Sequence, residues 1–592
     1  MRGVTAPLHL RLALAQLDVT VGDIEGNEAR IQADSARARE AGAQLVLFPE
    51  LALTGYPPED LLLKEHLLRD ARAALERLAS QTHGIVAIVG FPDRGEDAYN
   101  ALAVLADGRV RAVYRKVYLP NYGVFDEQRY FQSGEGGAMI ELAGTKVGLT
   151  ICEDMWEPGP PASDEALAGA TLLVNISASP YHAGKGAERE RMLVQRARDN
   201  IAAVAFCNLV GGQDELVFDG HSLVIDHEGA VVARAPQFEE DLLVADVDLQ
   251  GPRGLRLRDA RQRPAARRAA VHVPLLAELE LDAPPVEAIR PGGPVAALLD
   301  RHAEVYAALV LGLRDYVEKN GFGHVVLGLS GGIDSALTGA VAVDALGPER
   351  VTVAIMPSPY STSETQHDAR ALAASLRVDA VELDIGPAMR AYEETLAGAF
   401  EGREPDVTEE NLQARARGNL LMALSNKFGW LVLTTGNKSE LSVGYSTLYG
   451  DLAGGFAVIK DCPKTLVYEL VRHRNAAAGH DLIPPSILDR APSAELRADQ
   501  RDDDSLPPYE RLDPILEGYV EDDLDRDALV ARGHDADDVD GVIALVDRAE
   551  YKRRQAPPGV RISTRAFGRD RRMPITNSYG RPSGSATTRA RA

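Results

Sequence analysis

The chain is poor in cysteine. Its three cysteines, Cys152, Cys207 and Cys462, lie far apart with no CxxC spacing, which excludes a disulfide framework and a zinc cluster and leaves room for a lone reactive thiol. Long apolar runs are absent too. The stretch 8–17 is broken by His9, Arg11 and Gln16, with Pro7 just before it, so neither a membrane span nor a secretion signal is expected, and a cytoplasmic protein is. Positive charge is scarce, with 64 Lys and Arg against 88 Asp and Glu and a net charge of -24. Nonspecific binding to nucleic acid or to anionic membranes needs a basic face, so both partners are disfavoured, and anionic ligands must meet locally basic pockets. The acid excess gathers in residues 499–547, densest at Asp502-Asp503-Asp504 and Glu521-Asp522-Asp523, and reads as a solvated, partly helical surface. No repeat of solenoid length is present.

With 592 residues, 45% of them hydrophobic, the chain is too long for one ordinary core and predicts two or more domains. Candidate strands in the first half are 11–17, 44–48, 85–90, 146–151, 172–176, 204–208 and 222–225, with helices at 27–41 and 188–200. Residues 261–294, with Pro284-Pro285, Pro291 and Pro294, read as a linker after the arginine-rich 253–268. A second α/β unit follows over 295–580, with a helix at 295–320, strands at 351–356 and 430–434, and the parallel sheet a nucleotide fold requires. The tail 581–592 has almost nothing to bury and is expected to be disordered.

The most informative stretch is 327–336, LGLSGGIDSA, where an apolar strand stops at a Ser-Gly-Gly turn and a helix pattern begins. Two glycines let backbone amides approach an anion, Ser330 and Ser335 can donate, and the helix presents its positive end. The spacing is not that of the common P-loop, and Asp334 would repel phosphate unless a divalent cation sat between them. The bland alternative is a glycine-rich turn with a capping serine.

Cys152 follows the strand VGLTI and precedes Glu153-Asp154, the placement of a nucleophile presented by an elbow. The alternative, a buried structural cysteine, suits Cys207 within its apolar run. Glu50 closes LVLFPE, and Lys116 sits in YRKVYLP. In that order, with LTGYP at 53–57 and Phe125-Asp126-Glu127, these segments resemble the nitrilase superfamily of amidases over residues 8–260. The resemblance implies an α-β-β-α sandwich in which Glu50 deprotonates Cys152, Lys116 stabilises the oxyanion and Glu127 orients the lysine. It also implies a glutamine pocket formed by Tyr56, Tyr122 and Ser179.

SGGIDSA in turn resembles the SGGxDS signature of the ATP pyrophosphatases, which implies a Rossmann-like parallel-sheet domain that transfers AMP. Downstream stand Arg415 and Arg417, two apart and so on different helix faces, a TTGNKSELS turn ending in Glu440, and YGD followed by Lys460 and Lys464. These strings, with Ser493-Ala494-Glu495-Leu496 and Arg569-Asp570-Arg571-Arg572-Met573-Pro574, resemble NAD synthetases. Joined to the amidase half, they resemble the glutamine-dependent NAD+ synthetase family over nearly the whole chain. The resemblance implies ATP as co-substrate on Ser330, Gly332, Asp334, Ser335, Thr435 and Lys460, and Mg2+ on Asp334 and Glu440. It implies deamido-NAD on Asn411, Arg415, Asp451 and Lys464. Ammonia-only relatives carry Asp and His where this chain has Gly436-Asn437-Lys438, which leaves the contacts of that turn open. Residues 491–509 correspond to a loop that orders over the site in the family.

The implied reaction is ATP-dependent amidation of deamido-NAD by ammonia released from glutamine, through an adenylated intermediate, with AMP and pyrophosphate as products. Neutral ammonia needs shielding from protonation, so an internal passage, coupled turnover and a homo-oligomer belong to the same expectation. The rival readings are an amidase whose second domain only regulates by binding nucleotide, and a synthetase that adenylates another acceptor.

Overall fold

The computed structural model describes residues 9–259, 272–280, 292–493, 495–497, 500, 506–577 and 579. The chain divides into two compact units, Met1–Gln213 with Val217–Leu299, and Asp214–Leu216 with Asp300–Ala592.

Strands of the first unit run in chain order as β1 (His9–Gln16), β2 (Leu45–Leu47), β3 (Val86–Arg94), β4 (Ala98–Ala106), β5 (Arg109–Arg115), β6 (Ala138–Leu142), β7 (Thr145–Ile151), β8 (Leu172–Ser177) and β9 (Ala203–Asn208). They continue as β10 (Val210–Gln213), β11 (Leu216–Asp219), β12 (Leu223–Ile225), β13 (Val231–Arg234), β14 (Asp241–Asp248) and β15 (Leu275–Leu279). One sheet has the order β14-β1-β2-β3-β4-β5, the other β13-β12-β9-β8-β7-β6-β15, and β10 pairs with β11. Alternation along the strands sends Leu10, Leu12 and Leu14 of β1 into one core with Val147, Leu149 and Ile151 of β7 and Val174 and Ile176 of β8. Each such side chain contributes about 1.5–3 kcal/mol on burial.

Helices α1 (Ile24–Glu40) and α2 (Glu65–Gln81) pack on the first sheet. Beyond them lie the single-turn α3 (Glu153–Trp156), then α4 (Ala162–Leu167) and α5 (Lys185–Asn200), which pack on the second sheet. Leu193 and Ala197 of α5 close a separate core over Leu173, Val204 and Phe206. The layering is the expected α-β-β-α sandwich.

Several strands escape the sequence reading, among them β4, β5, β6, β13 and β14. The β4–β5 turn is Asp107-Gly108, with φ of 52° and 75°, so an Asp-Gly pair suited to a two-residue hairpin marks it. The linker expected at 261–294 needs correction. Its described part contains β15, which lies parallel to β6 with Leu279 buried, and Gly292 bridges to Asp246. Apolar residues hidden among the prolines carry that pairing; residues 261–271 and 281–291 lie outside the described set, as does the tail 581–592.

In the second unit β16 (Val325–Gly328), β17 (Val351–Ile355), β18 (Asp379–Glu382), β19 (Leu431–Thr434) and β20 (Phe456–Ala457) form an all-parallel sheet of order β18-β17-β16-β19-β20. The helix expected from 295 starts later, at Arg301, because Asp300 caps it by accepting from the His302 and Ala303 amides. After α6 (Gly251–Arg258) in the first unit, the helices used below are α7 (Arg301–Lys319), α8 (Ile333–Leu346), α9 (Ser363–Leu376), α10 (Gly386–Leu396), α11 (Val407–Phe428), α12 (Lys438–Val443) and α13 (Lys464–Ala478). A capping box of Asp406 and Glu409 opens α11, and left-handed Gly429 ends it. The acid-rich stretch is partly helical, as expected: Val539, Val542 and Val546 point into a core with Leu512 and Ile515, while Asp522, Asp523 and Asp527 stay exposed. Asp502-Asp503-Asp504 lie outside the described residues.

Candidate active sites

At the first site the ends of β2, β4, β5 and β7 bring together side chains far apart in sequence. Lys116, just past β5, is fully buried; its Nζ donates to Glu50 Oε1 at 2.7 Å and to both oxygens of Glu127 at 2.9 Å. Burial alone would pull this ammonium down, but Glu127 and Glu50 together outweigh it and hold its pKa well above the usual lysine value. Glu50 Oε2 accepts from the Ala178 amide at 2.9 Å. Burial pushes Glu127 up to about 7, against the pull of Lys116 and of the Tyr56 hydroxyl, which donates to it at 2.8 Å.

Cys152 follows β7 with φ 43° and ψ -102°, a conformation a non-glycine residue holds only when its surroundings impose it. Its amide donates to Ile176 O of β8 at 2.9 Å, and its side chain is buried. Burial, followed by the negative charge of Glu50, pushes the Cys152 thiol well above its ordinary pKa, so at neutral pH it is a thiol awaiting a base. Cys207, expected to be structural, lies in the core, its thiol donating to carbonyl oxygens of Ala15 and Leu47.

Of the residues expected to bind glutamine, Tyr56 is buried on Glu127. Tyr122 is 59% exposed and donates to Glu153 at 2.9 Å, and Ser179 is buried with its hydroxyl accepting from Arg189 at 3.3 Å. Two neighbours escaped the sequence reading. Asn100 on β4 donates one amide group to Glu50 at 2.7 Å and to Glu127 at 3.4 Å, tying the two carboxylates together. Lys185, at the start of α5, holds its Nζ 3.9 Å over the Trp156 ring, with burial pulling its pKa down. Neither sits in a recognisable string; only tertiary contact marks them.

The second site is a cavity of about 440 Å³ beside the parallel sheet. The 330–335 loop forms one wall. Ser330 Oγ accepts from the Gly332 amide at 3.2 Å, Ser335 Oγ donates to Gly332 O at 2.9 Å, and α8 starts at Ile333 with its amino end at the cavity. Gly331 has φ 82°, and a Cβ there would meet Thr365 O at 2.3 Å, so both conformation and space require glycine. Asp334 accepts from Asn437 Nδ2 at 3.0 Å, while Asn437 Oδ1 caps α12 at the Glu440 amide. Lys464 Nζ bridges Asp334 and Glu440, the latter at 3.3 Å.

Opposite, Asn411, Ala414, Arg417, Gly418 and Leu421 make a stripe along one face of α11. Asn411 Oδ1 accepts from Thr447 Oγ at 2.8 Å, and the Thr447 amide donates to Asp451 at 2.6 Å. Ser330, Gly332, Asp334, Ser335, Thr435, Asn411, Asp451, Lys464 and Glu440 all line the cavity. Lys460 and Arg415 do not. Lys460 Nζ donates to Pro557 O at 2.9 Å, and Arg415, one step off the α11 stripe, donates to Leu448 O at 3.2 Å.

The sequence reading gave Arg415 the role that geometry offers to Arg417, which lines the cavity and is pulled down to about 10 by burial. Lys552, also missed, lines it beside Asp451. In the turn left open, Lys438 points away from the cavity. Buried, it donates to Glu521 at 2.7 Å and Ser563 at 2.7 Å, and Asp461 lies 2.9 Å off. From the 491–509 loop, the described Ala491, Pro492, Ser493, Glu495, Leu496 and Gln500 line the cavity; 494, 498–499 and 501–505 lie outside the described residues.

Among the described residues no group of three or more His, Cys, Asp or Glu could hold a metal, and no helix is long and apolar enough to cross a membrane.

Comparison with known proteins covers both units. The carbon-nitrogen hydrolase family matches residues 11–256 and the NAD synthase family residues 305–556. A glutamine-dependent NAD(+) synthetase of Thermotoga maritima is 49% identical over 97% of this chain and 100% of its own length; one of Aquifex aeolicus is 48% identical over 96% and 100%. The solved glutamine-dependent NAD+ synthetase of Acinetobacter baumannii, in complex with ADP, is 41% identical with a TM-score of 0.72, covering 96% of this chain and 99% of that one.

Proposed function

This chain belongs to the glutamine-dependent NAD(+) synthetase family, an ATP-consuming ligase that amidates deamido-NAD with glutamine as nitrogen donor, and we propose how its own residues divide that work. In the first half-reaction the Cys152 sulfur attacks the glutamine side-chain carbonyl carbon while its proton passes to Glu50. The charge that develops on the carbonyl oxygen is held by the Lys116 ammonium, which Glu127 and Glu50 keep protonated and aimed. Glu50 returns its proton to the departing nitrogen, ammonia leaves, and water then cleaves the thioester to glutamate. Tyr56, Tyr122 and Ser179 are the proposed glutamine contacts. The observation that carries this half is the buried Glu50–Lys116–Glu127 cluster, which sets a charged ammonium and a carboxylate base within electrostatic reach of Cys152.

In the second half-reaction a carboxylate oxygen of the nicotinate ring attacks the α-phosphorus of ATP, and pyrophosphate leaves. Ammonia then attacks the acyl adenylate carbon, AMP departs, and the amide loses a proton. The 330–335 loop and the amino end of α8 support an assignment to the ATP phosphates, with Thr435 beside them. Asn411, Asp451 and Arg417 are the proposed deamido-NAD contacts.

Mg2+ fits the residues present: Asp334 and Glu440 converge on the single ammonium of Lys464, so two oxygen donors already share one cation's position. Asp334 and Glu440 would hold the ion, which supplies charge neutralisation for the pyrophosphate leaving group.

Cys152→Ala should abolish glutamine-supported NAD+ formation and leave the ammonium-supported rate intact. Full retention of glutamine use would overturn the nucleophile assignment.

A further inference from the structure

One carboxylate joins the two catalytic segments of the first unit. Asp154, fully buried in α3, uses Oδ1 to accept from the Val117 amide at 3.0 Å and the Tyr118 amide at 2.9 Å, the two residues that follow Lys116. Its Oδ2 accepts from the Ile151 amide at 3.0 Å, the residue before Cys152, and from the Tyr114 hydroxyl at 2.8 Å, two residues before Lys116. We propose that Asp154 is a positioning residue for the amidase reaction, setting the separation between the Lys116 ammonium and the Cys152 sulfur by clamping both backbones to one carboxylate. The proposal rests on the reading of Cys152 and Lys116 as nucleophile and oxyanion partner.

Chemistry favours a carboxylate for this task. Four donors meet two oxygens, so every acceptor site is used by a group that cannot reverse its role, except for the tyrosine hydroxyl. Ionised, the carboxylate makes charge-assisted bonds that are shorter and stiffer than neutral ones. It also braces the left-handed Cys152 from the Ile151 side, opposite the bond that Cys152 itself makes to β8. Asparagine keeps the shape but turns an NH2 toward donors, so at least one backbone amide is left donor against donor, since only the tyrosine hydroxyl can reverse its role. The distance between lysine and sulfur would then relax, and a misplacement of about 1 Å costs about a hundredfold in rate.

Glutaminase kinetics of the full-length enzyme, under ATP and deamido-NAD, test the proposal in wild type, Asp154→Asn, Tyr114→Phe and Cys152→Ala. Glutamine affinity is measured by calorimetry in the Cys152→Ala background with and without Asp154→Asn. The expected result is a kcat about a hundredfold lower for Asp154→Asn and a few-fold lower for Tyr114→Phe, with glutamine affinity unchanged within about threefold. A kcat for Asp154→Asn within threefold of wild type would overturn the proposal, as would an affinity loss as large as the loss in kcat, which marks a structural role alone. If Asp154→Asn does not fold, Tyr114→Phe decides, and an unchanged kcat there overturns it. Persistence of glutaminase activity in Cys152→Ala would instead sink the underlying reading of the nucleophile, a distinguishable failure.

Discussion

At the first site the charges are paired before any ligand arrives: Lys116 is enclosed by Glu50 and Glu127, Asn100 ties those carboxylates together, and all four side chains are buried. At the second, Asp334 and Glu440 line a cavity of about 440 Å³ and share the one ammonium of Lys464. The contrast follows from the chemistry. Amide cleavage develops a single oxyanion, which a fixed cation in a dry pocket stabilises without rearrangement. Adenylation handles a polyanion that arrives with its own charge and leaves as pyrophosphate, so its site must exchange counter-ions. A preorganised site should be damaged by changes in geometry, and an exchanging site by changes in charge.

The largest effect expected to sharpen this contrast comes from Asp334→Ala, which should lower NAD+ formation about a thousandfold or more with either nitrogen source, measured as AMP release. A mutant impaired with glutamine alone would assign Asp334 to the wrong half. Lys116→Met should lower the glutamine-supported kcat by about a hundred- to a thousandfold and leave the ammonium-supported rate alone. An equal loss by both routes would break the separation of roles.

Lys464→Met probes the exchanging site. With its ammonium gone, Mn2+ should bind the nucleotide-free enzyme about tenfold more tightly by electron paramagnetic resonance, since the two carboxylates lose their resident counter-ion. Unchanged or weaker Mn2+ binding would show that lysine and metal do not compete.

The smallest effect concerns pH. Glu127 exchanges its proton near 7 and holds Lys116 through both oxygens only when ionised, so glutaminase activity should fall as pH drops through that value. The Tyr56 hydroxyl favours the ionised form, so Tyr56→Phe should move the acid limb to higher pH, by about a unit or less. A shift to lower pH would contradict the assignment.

How far these sites could be read in advance depended on whether function lies in a contiguous string. The stretch 327–336 carries the end of its strand, turn, acid and helix within ten positions, and Cys152 with Glu153-Asp154 sits directly after a strand, so both were visible. Glu50 and Lys116 were visible through their order along the chain. Asn100, Lys185 and Lys552 were not, because each acquires its role from strands or helices distant in sequence. Arg415 and Arg417 show the limit well: two arginines two apart must point differently, but only the packing of α11 says which one faces the cavity. Among the strands of the parallel sheet, β16, β17 and β19 were read and β18 and β20 were not, while the hairpin at Asp107-Gly108 carried a readable turn that was passed over.

The most direct test of the central claim follows the nitrogen. Purified enzyme is given amide-15N glutamine, ATP, Mg2+ and deamido-NAD, and the products are weighed by mass spectrometry. The account predicts 15N in the carboxamide of NAD+ with one AMP and one pyrophosphate per molecule formed, and no labelled product from Cys152→Ala. Unlabelled NAD+, or ADP and phosphate in place of AMP and pyrophosphate, would contradict it.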